Sequence, residues 1–443
     1  MTSSARDRQG RRAHWARRAP SARPVPRVRL PGRSSLHAVP PLAVALATLA
    51  LISCAAAGSR PGAAGQPGGQ SSPGGRSSPR GQPATDGSGQ AASQPAVPSP
   101  RALPPLTLAQ MAGQRVIYSY AGLNPPAALL RWISHGEVGG VIFFGANISS
   151  RAQIAGVISE LDKANASASN PLRAVPLLLM TDQEGGLVRR LPGKPARSER
   201  QIGEAAHPAA AAKAAGTGAG RNLAGVGMNV NLAPVLDVYR TAGDFDDQFG
   251  RSYSKNPRVV SALGADFIKA QQATGVAATA KHFPGLGAAA RSQDTDAKPV
   301  TLNLTLHALR TIDEYPYGAA IAAGVKLVMV SWAVYPALAH DTPAGLSSAI
   351  VGGELRDRLH FTGVTITDAL EAGALKAFGT TGHRATLAVR AGMDLILCSA
   401  QSAGQGQQAR NALAAGLKSG ALSKSVFDAA LNRVIALRSG LAS

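Results

Sequence analysis

Eight short apolar runs alternate with helical patterns along residues 105–443, and no other feature limits the possible folds as strongly. The runs, read as strands, fall at 116–120, 141–144, 177–182, 228–233, 276–282, 326–331, 364–368 and 394–398. Helical spacing is predicted at 125–133, 150–164, 208–224, 257–272, 306–323, 349–359, 380–391 and 424–438. Strands that are apolar throughout are buried on both faces, as in a parallel sheet covered by helices. Eight strand–helix units in this length predict a (β/α)8 barrel of the TIM type with some loop insertions. An open doubly wound sheet would carry a glycine-rich phosphate loop after its first strand, and none is present there.

Four of the runs end in polar or charged residues. The fifth run closes in Lys281-His282 and opens into Phe283-Pro284-Gly285-Leu286-Gly287; the others end at Asp182, at Asn229 and Asn231, and at Asp368. Such groups are costly at the end of a buried strand unless something outside the strand uses them. In a barrel the active groups sit at the C-terminal ends of strands, so one shared site is expected.

Charge and composition divide the chain. Residues 1–54 hold ten arginines against one acid, Asp7, which is +9 of the formal +21. The charge of the last part does not gather into a basic helix, so no nucleic-acid partner is expected. The apolar stretch 39–52 is short for a membrane span and is flanked like a signal peptide. It ends in Leu51-Ile52-Ser53-Cys54, which resembles a bacterial lipoprotein box. Residues 1–53 are therefore read as a lipoprotein signal peptide, with Cys54 as the lipidated residue. An ordinary signal peptide with a chance cysteine is the alternative. Residues 54–104 are Gly, Ser, Pro, Gln and Ala with almost no large apolar side chain, and read as a disordered tether. The expected location is the outer face of the cytoplasmic membrane, through the lipid anchor. Cys398 ends an apolar run and reads as a small buried hydrophobe; no disulfide framework or zinc spacing is present.

The polar positions have competing readings. Asp182 opens Asp182-Gln183-Glu184-Gly185-Gly186-Leu187-Val188-Arg189-Arg190. A carboxylate followed by arginines can grip vicinal hydroxyls, or form a structural ion pair. Asp237 is an orienting group or a turn residue. Arg251 reaches a substrate or pairs with the acids of 244–247. Asp368 precedes a helix-like stretch, so it is an N-cap or a working carboxylate.

The order of motifs resembles the single-domain family 3 glycoside hydrolases, closest to bacterial β-N-acetylhexosaminidases that trim peptidoglycan fragments. The matching stretches are Gly139-Gly140-Val141-Ile142-Phe143-Phe144, Asp182-Gln183-Glu184-Gly185-Gly186, Asn231-Leu232-Ala233-Pro234-Val235-Leu236-Asp237-Val238, Gly250-Arg251-Ser252-Tyr253, Lys281-His282-Phe283-Pro284-Gly285 and Thr367-Asp368-Ala369-Leu370. The resemblance implies a retaining mechanism through a covalent glycosyl-enzyme. Asp368 matches the family's nucleophile. Asp182, Arg190, Arg251, Lys281 and His282 match positions that hold sugar hydroxyls. No metal and no organic cofactor are implied. The expected partner is an amino-sugar glycan, taken by a monomer.

Three departures stand out. Leu187 replaces an arginine common after the paired glycines, and Trp332 stands where the family often has histidine. Most consequentially, the loop 286–296 lacks the family's acid/base histidine and offers Asp294 and Asp296 instead. Either aspartate serves as the acid, or the loop is inert and only substrates with good leaving groups react. The third possibility is a glycan-binding barrel without chemistry.

Overall fold

The computed structural model describes residues 105–441; the predicted signal segment 1–53, Cys54 and the tether to residue 104 lie outside the described residues. Among the described residues ten strands occur: β1 Val116–Tyr118, β2 Gly140–Ile142, β3 Leu178–Thr181, β4 Gln183–Gly185, β5 Val188–Arg189, β6 Val230–Asn231, β7 Ala277–Phe283, β8 Leu327–Val330, β9 Val364–Thr367 and β10 Ile396–Leu397. Strands β4 and β5 form a separate antiparallel hairpin, and the other eight form one sheet in the order β10-β1-β2-β3-β6-β7-β8-β9. The pairings within that sheet are parallel. A parallel bridge between Ile366 and Leu395 joins the two edges. There Thr367 N–H donates to Leu395 O at 3.0 Å and Leu395 N–H to Thr365 O at 2.9 Å, so the sheet closes on itself. The fold is the expected (β/α)8 barrel.

Side-chain alternation fills it. Ile117, Leu178, Met180, Val230, Ala277, Leu327, Ile366 and Leu397 belong to one buried cluster inside the ring. Their neighbours Val116, Tyr118, Leu179, Ala278, Val328 and Ile396 belong to a second, between strands and helices. This period of two is what a strand buried on both faces requires.

Helix starts follow local chemistry. Ser150 caps Arg151–Asn165 by accepting the Gln153 N–H, and Asn256 caps Pro257–Gln272, whose proline occupies the first turn. One predicted helix, 306–323, is instead broken into Leu306–Ala308, a wide turn Leu309–Asp313 and Tyr315–Ala322. Pro316 lacks the N–H that an unbroken helix would need there. The terminal helix Lys424–Ser439 closes the N-terminal mouth of the barrel. Its Val434 joins the interior cluster, with Leu437 and Leu441 packed against it. Arg438, 1% exposed, donates from Nε to Pro176 O at 2.7 Å, just before β3. Among the described residues no helix is long and apolar enough to cross a membrane.

Candidate active site

At the opposite end of the barrel the strand termini surround a cleft of about 490 Å³. Ile142, Leu232, Met329 and Leu397, the upper ends of the interior cluster, make its floor. Its walls hold eight of the residues that the sequence singled out: Asp182, Arg190, Arg251, Lys281, His282, Asp294, Asp296 and Asp368. The fourth polar strand end does not contribute. Asn229 and Asn231 accept from Leu179 N–H and Gln183 N–H and so fix β3 and the hairpin beside it, and Asn231 Nδ2 donates to Gln271 Oε1 at 2.8 Å.

One wall is a buried charge network. Lys281, only 2% exposed, donates to Asp182 Oδ1 at 2.9 Å and lies 2.7 Å from Glu184 Oε1. Arg251 grips both oxygens of Glu184, at 2.8 and 2.9 Å, and reaches Asp246 Oδ1 at 2.7 Å. Burial pushes the Glu184 carboxyl up, but Arg251 and Lys281 overcome it and hold Glu184 at about 2. Burial also pulls Lys281 down, and the carboxylates of Asp182 and Glu184 reverse that and leave it raised. Glu184, Arg251 and Lys281 therefore stay charged at neutral pH. Arg190 stands further off, 3.9 Å from Asp182 Oδ2 and partly exposed. Of the two sequence readings of Arg251, the pairing with the acids of 244–247 is present through Asp246, and its side chain also lines the cleft.

His282 is oriented from behind. Adjacent strand residues normally point to opposite faces, but the β7–β8 register shifts between Ala280 and Phe283, and Lys281 and His282 both line the cleft. Fully buried Asp237 accepts the Leu286 N–H at 2.5 Å and the His282 ring at 2.7 Å from Nδ1. It is the orienting group, not a turn residue. Burial lowers His282 to about 4, so its ring is neutral at pH 7 with the proton on Nδ1, and Nε2 remains an acceptor. Asp237, Asp246 and His282 bring ligand-type atoms within 4.8 Å of one another. Asp237 and His282 are already bonded to each other there, and Asp246 Oδ1 holds Arg251.

Asp368 follows β9 at the cleft floor. No helix begins there, so it is not an N-cap; the next regular segment is the 3-10 helix Gly373–Phe378. Its Oδ1 accepts the Ala369 N–H at 2.7 Å. Trp332, fully buried, donates from Nε1 to Ala369 O at 2.8 Å and so holds the next peptide. Burial, then the charge of Asp296, raises Asp368 to about 6, while His282, the Ala369 N–H and Lys281 pull it down. Asp296 lies at the exposed rim. Surrounding protein and then Asp294 raise its carboxyl, and water at the rim tempers that shift. Asp294 Oδ1 accepts the Asp296 N–H at 2.9 Å and shapes the turn between them. This loop is docked on the Asp368 loop, with Gly373 N–H donating to Asp296 O at 2.7 Å and Ala374 N–H to Thr295 O at 3.0 Å.

A family model described as the glycosyl hydrolase family 3 N terminal domain matches residues 107–437. The chain belongs to glycoside hydrolase family 3. It is 47% identical over 338 residues to an uncharacterized secreted glycosyl hydrolase of Arthroderma benhamiae, over 76% of this chain and 95% of that one. It is 32% identical over 289 residues to a beta-hexosaminidase of Xanthomonas oryzae pv. oryzae, over 64% of this chain and 82% of that one. A family 3 beta-N-acetylglucosaminidase from Paenibacillus sp. str. FPU-7 superposes with a TM-score of 0.71 at 36% identity, over 76% of this chain and 64% of that one. A beta-N-acetylhexosaminidase from Beutenbergia cavernae gives 0.68 at 31%, over 75% and 99%. The fungal relative makes the kinship wider than the bacterial type that the motifs alone suggested.

Several residues of this family 3 cleft were not singled out from sequence. Glu184 lies between the arginine- and lysine-bearing segments. Glu371 lines the cleft and accepts from Ser399 Oγ at 2.7 Å and Gln405 Nε2 at 2.9 Å. Glu184 had a local signal, its place two residues after Asp182 in a glycine-ended turn. Glu371 had none, because its partners lie 28 and 34 residues away.

Proposed function

We propose that this family 3 barrel removes terminal β-linked N-acetylhexosamine with retention, from peptidoglycan fragments, with Asp368 as nucleophile and Asp296 as acid/base. Asp368 attacks the anomeric carbon, and the glycosidic bond breaks as Asp296 gives its proton to the leaving oxygen. The same carboxylate then takes a proton from the water that hydrolyses the glycosyl-enzyme. Asp294 positions Asp296. Asp182, Arg190, Arg251, Lys281 and neutral His282 bind the hydroxyls of the terminal sugar. The observation that carries this reading is the docking of the Asp296 loop onto the Asp368 loop within one cleft. The chemistry requires Asp368 ionised and Asp296 protonated as substrate binds, and burial raises both carboxyls.

The sugar class is supported by kinship to hexosaminidases of comparable length. The secreted fungal relative and the signal-like N-terminus support an exported protein, and Cys54 is proposed as its lipid anchor. Cys54→Ala should then leave the membrane fraction, and retention there would refute the anchor. The test of function is turnover by the full chain on an aryl β-N-acetylglucosaminide and on a peptidoglycan disaccharide. Cleavage of both supports the complete mechanism. Cleavage of the aryl substrate alone removes Asp296 from the acid's role. The missing histidine favours a second reading, a glycan-binding barrel without chemistry, and sugar binding with neither substrate cleaved would establish it.

A further inference from the structure

Phe249 is a large apolar side chain left 41% exposed at the edge of a polar cleft. It is not a loose surface residue. Phe245, itself lining the cleft and packed on the core, meets it edge to face with ring centroids 6.0 Å apart and planes at 83°. The segment that carries both is anchored. Phe245 N–H donates to Ala289 O at 2.9 Å, and Gln248 Nε2 donates to Arg291 O at 3.1 Å and to Phe245 O at 3.2 Å. Gly250, in the left-handed region at φ 69°, ends the short 3-10 helix Asp247–Phe249 and turns the chain back to Arg251.

Those anchors decide which side of the cleft Phe249 serves. Ala289 and Arg291 belong to the loop that carries Asp296. In the mechanism above, on which this step rests, that loop delivers a proton to the leaving oxygen. The group attached to that oxygen must therefore lie along the same loop, where Phe245 and Phe249 stand. The charged network borders the same segment, since Asp246 and Arg251 flank Phe249 in sequence and bond to each other, so Phe249 stands between the charged wall and the loop that carries Asp296.

We propose that Phe249, braced by Phe245, is the platform on which the leaving-group sugar of the substrate stacks. A pyranose presents a face of C–H groups that suits an aromatic ring, and burying that face removes apolar surface from water. The platform offers no hydrogen bond, so it favours a second ring without reading its hydroxyl pattern. The substrate class is thus a β-linked di- or oligosaccharide rather than a glycoside of a small alcohol.

The experiment uses the full chain and its Phe249→Ala and Phe249→Trp variants. The probes are N,N′-diacetylchitobiose, whose leaving group is a sugar, and N-acetyl-β-glucosaminyl fluoride, whose leaving group has no ring. The ratio of kcat/KM for disaccharide over fluoride should fall about three- to tenfold in Phe249→Ala and be kept in Phe249→Trp. In parallel, calorimetry should show the same fall in the affinity of the disaccharide relative to N-acetylglucosamine, a readout independent of turnover. An unchanged ratio in a protein that binds or cleaves these sugars overturns the platform alone. Failure of the unaltered protein to bind either sugar overturns it together with the proposed function.

Discussion

Two carboxylates differ in what surrounds them, and that difference decides their titration. Asp368 is pushed to about 6 by burial and then by Asp296, and attack requires its ionised form. A raised carboxyl gains its proton as pH falls through 6, so kcat/KM should drop about tenfold per unit below that value. A pH–rate profile on an aryl substrate checks this, and a flat profile down to pH 4.5 would remove Asp368 from the role. Asp296→Asn should cost about a hundred- to ten-thousand-fold on a disaccharide and much less on an activated aryl glycoside. Equal losses on both substrates would count against proton donation. At this scale the sequence was readable where a residue sits in a local motif, as with Asp182, Lys281, His282 and Asp368. It left Asp237 open between an orienting group and a turn residue, because its histidine lies 45 residues away and only folding joins them.

The elements carry these residues at fixed spacing because two loops share a backbone contact. Gly373 makes that contact possible: a Cβ there would lie 2.2 Å from Ala297 O and 2.8 Å from Asp296 O. Gly373→Ala must push the Asp296 loop away from the Asp368 loop, at a cost of about 1–3 kcal/mol if the loops stay folded. The expected result is a tenfold or greater loss in disaccharide kcat, with a smaller loss on an activated aryl glycoside. Unchanged kcat on both would show that loop spacing does not matter. The eight barrel strands were legible because each is a near-continuous apolar run with turn residues at its ends. The hairpin of β4 and β5 was not, since Gln183 and Glu184 are polar residues whose burial depends on Asn231 and Arg251. The helix Ala403–Lys418 also escaped prediction, its early turns holding Gly404, Gly406 and three glutamines.

For the molecule as a whole the barrel separates stability from chemistry by its two ends. Asp394, fully buried before β10, accepts from Arg356 Nη2 at 2.6 Å, Arg433 Nη2 at 2.7 Å and Thr365 N–H at 2.9 Å. These contacts tie the helices around residues 356 and 433 to the mouth that the terminal helix closes. The cleft opens at the other end of the same strand, where Leu397 and Ser399 line it. Removing the Asp394 charge leaves two guanidinium groups without their partner. Arg433 and Arg356 both reach water to some extent, so the cost of Asp394→Asn lies near the low end for a buried pair, about 3 kcal/mol. The midpoint Tm should fall by several degrees. Because nothing in this cluster faces the cleft, kcat on the aryl substrate, measured well below Tm, should stay within about twofold, as expected for a barrel whose N-terminal face serves stability. A large loss of kcat with unchanged Tm would mean that the two ends are coupled through the strands.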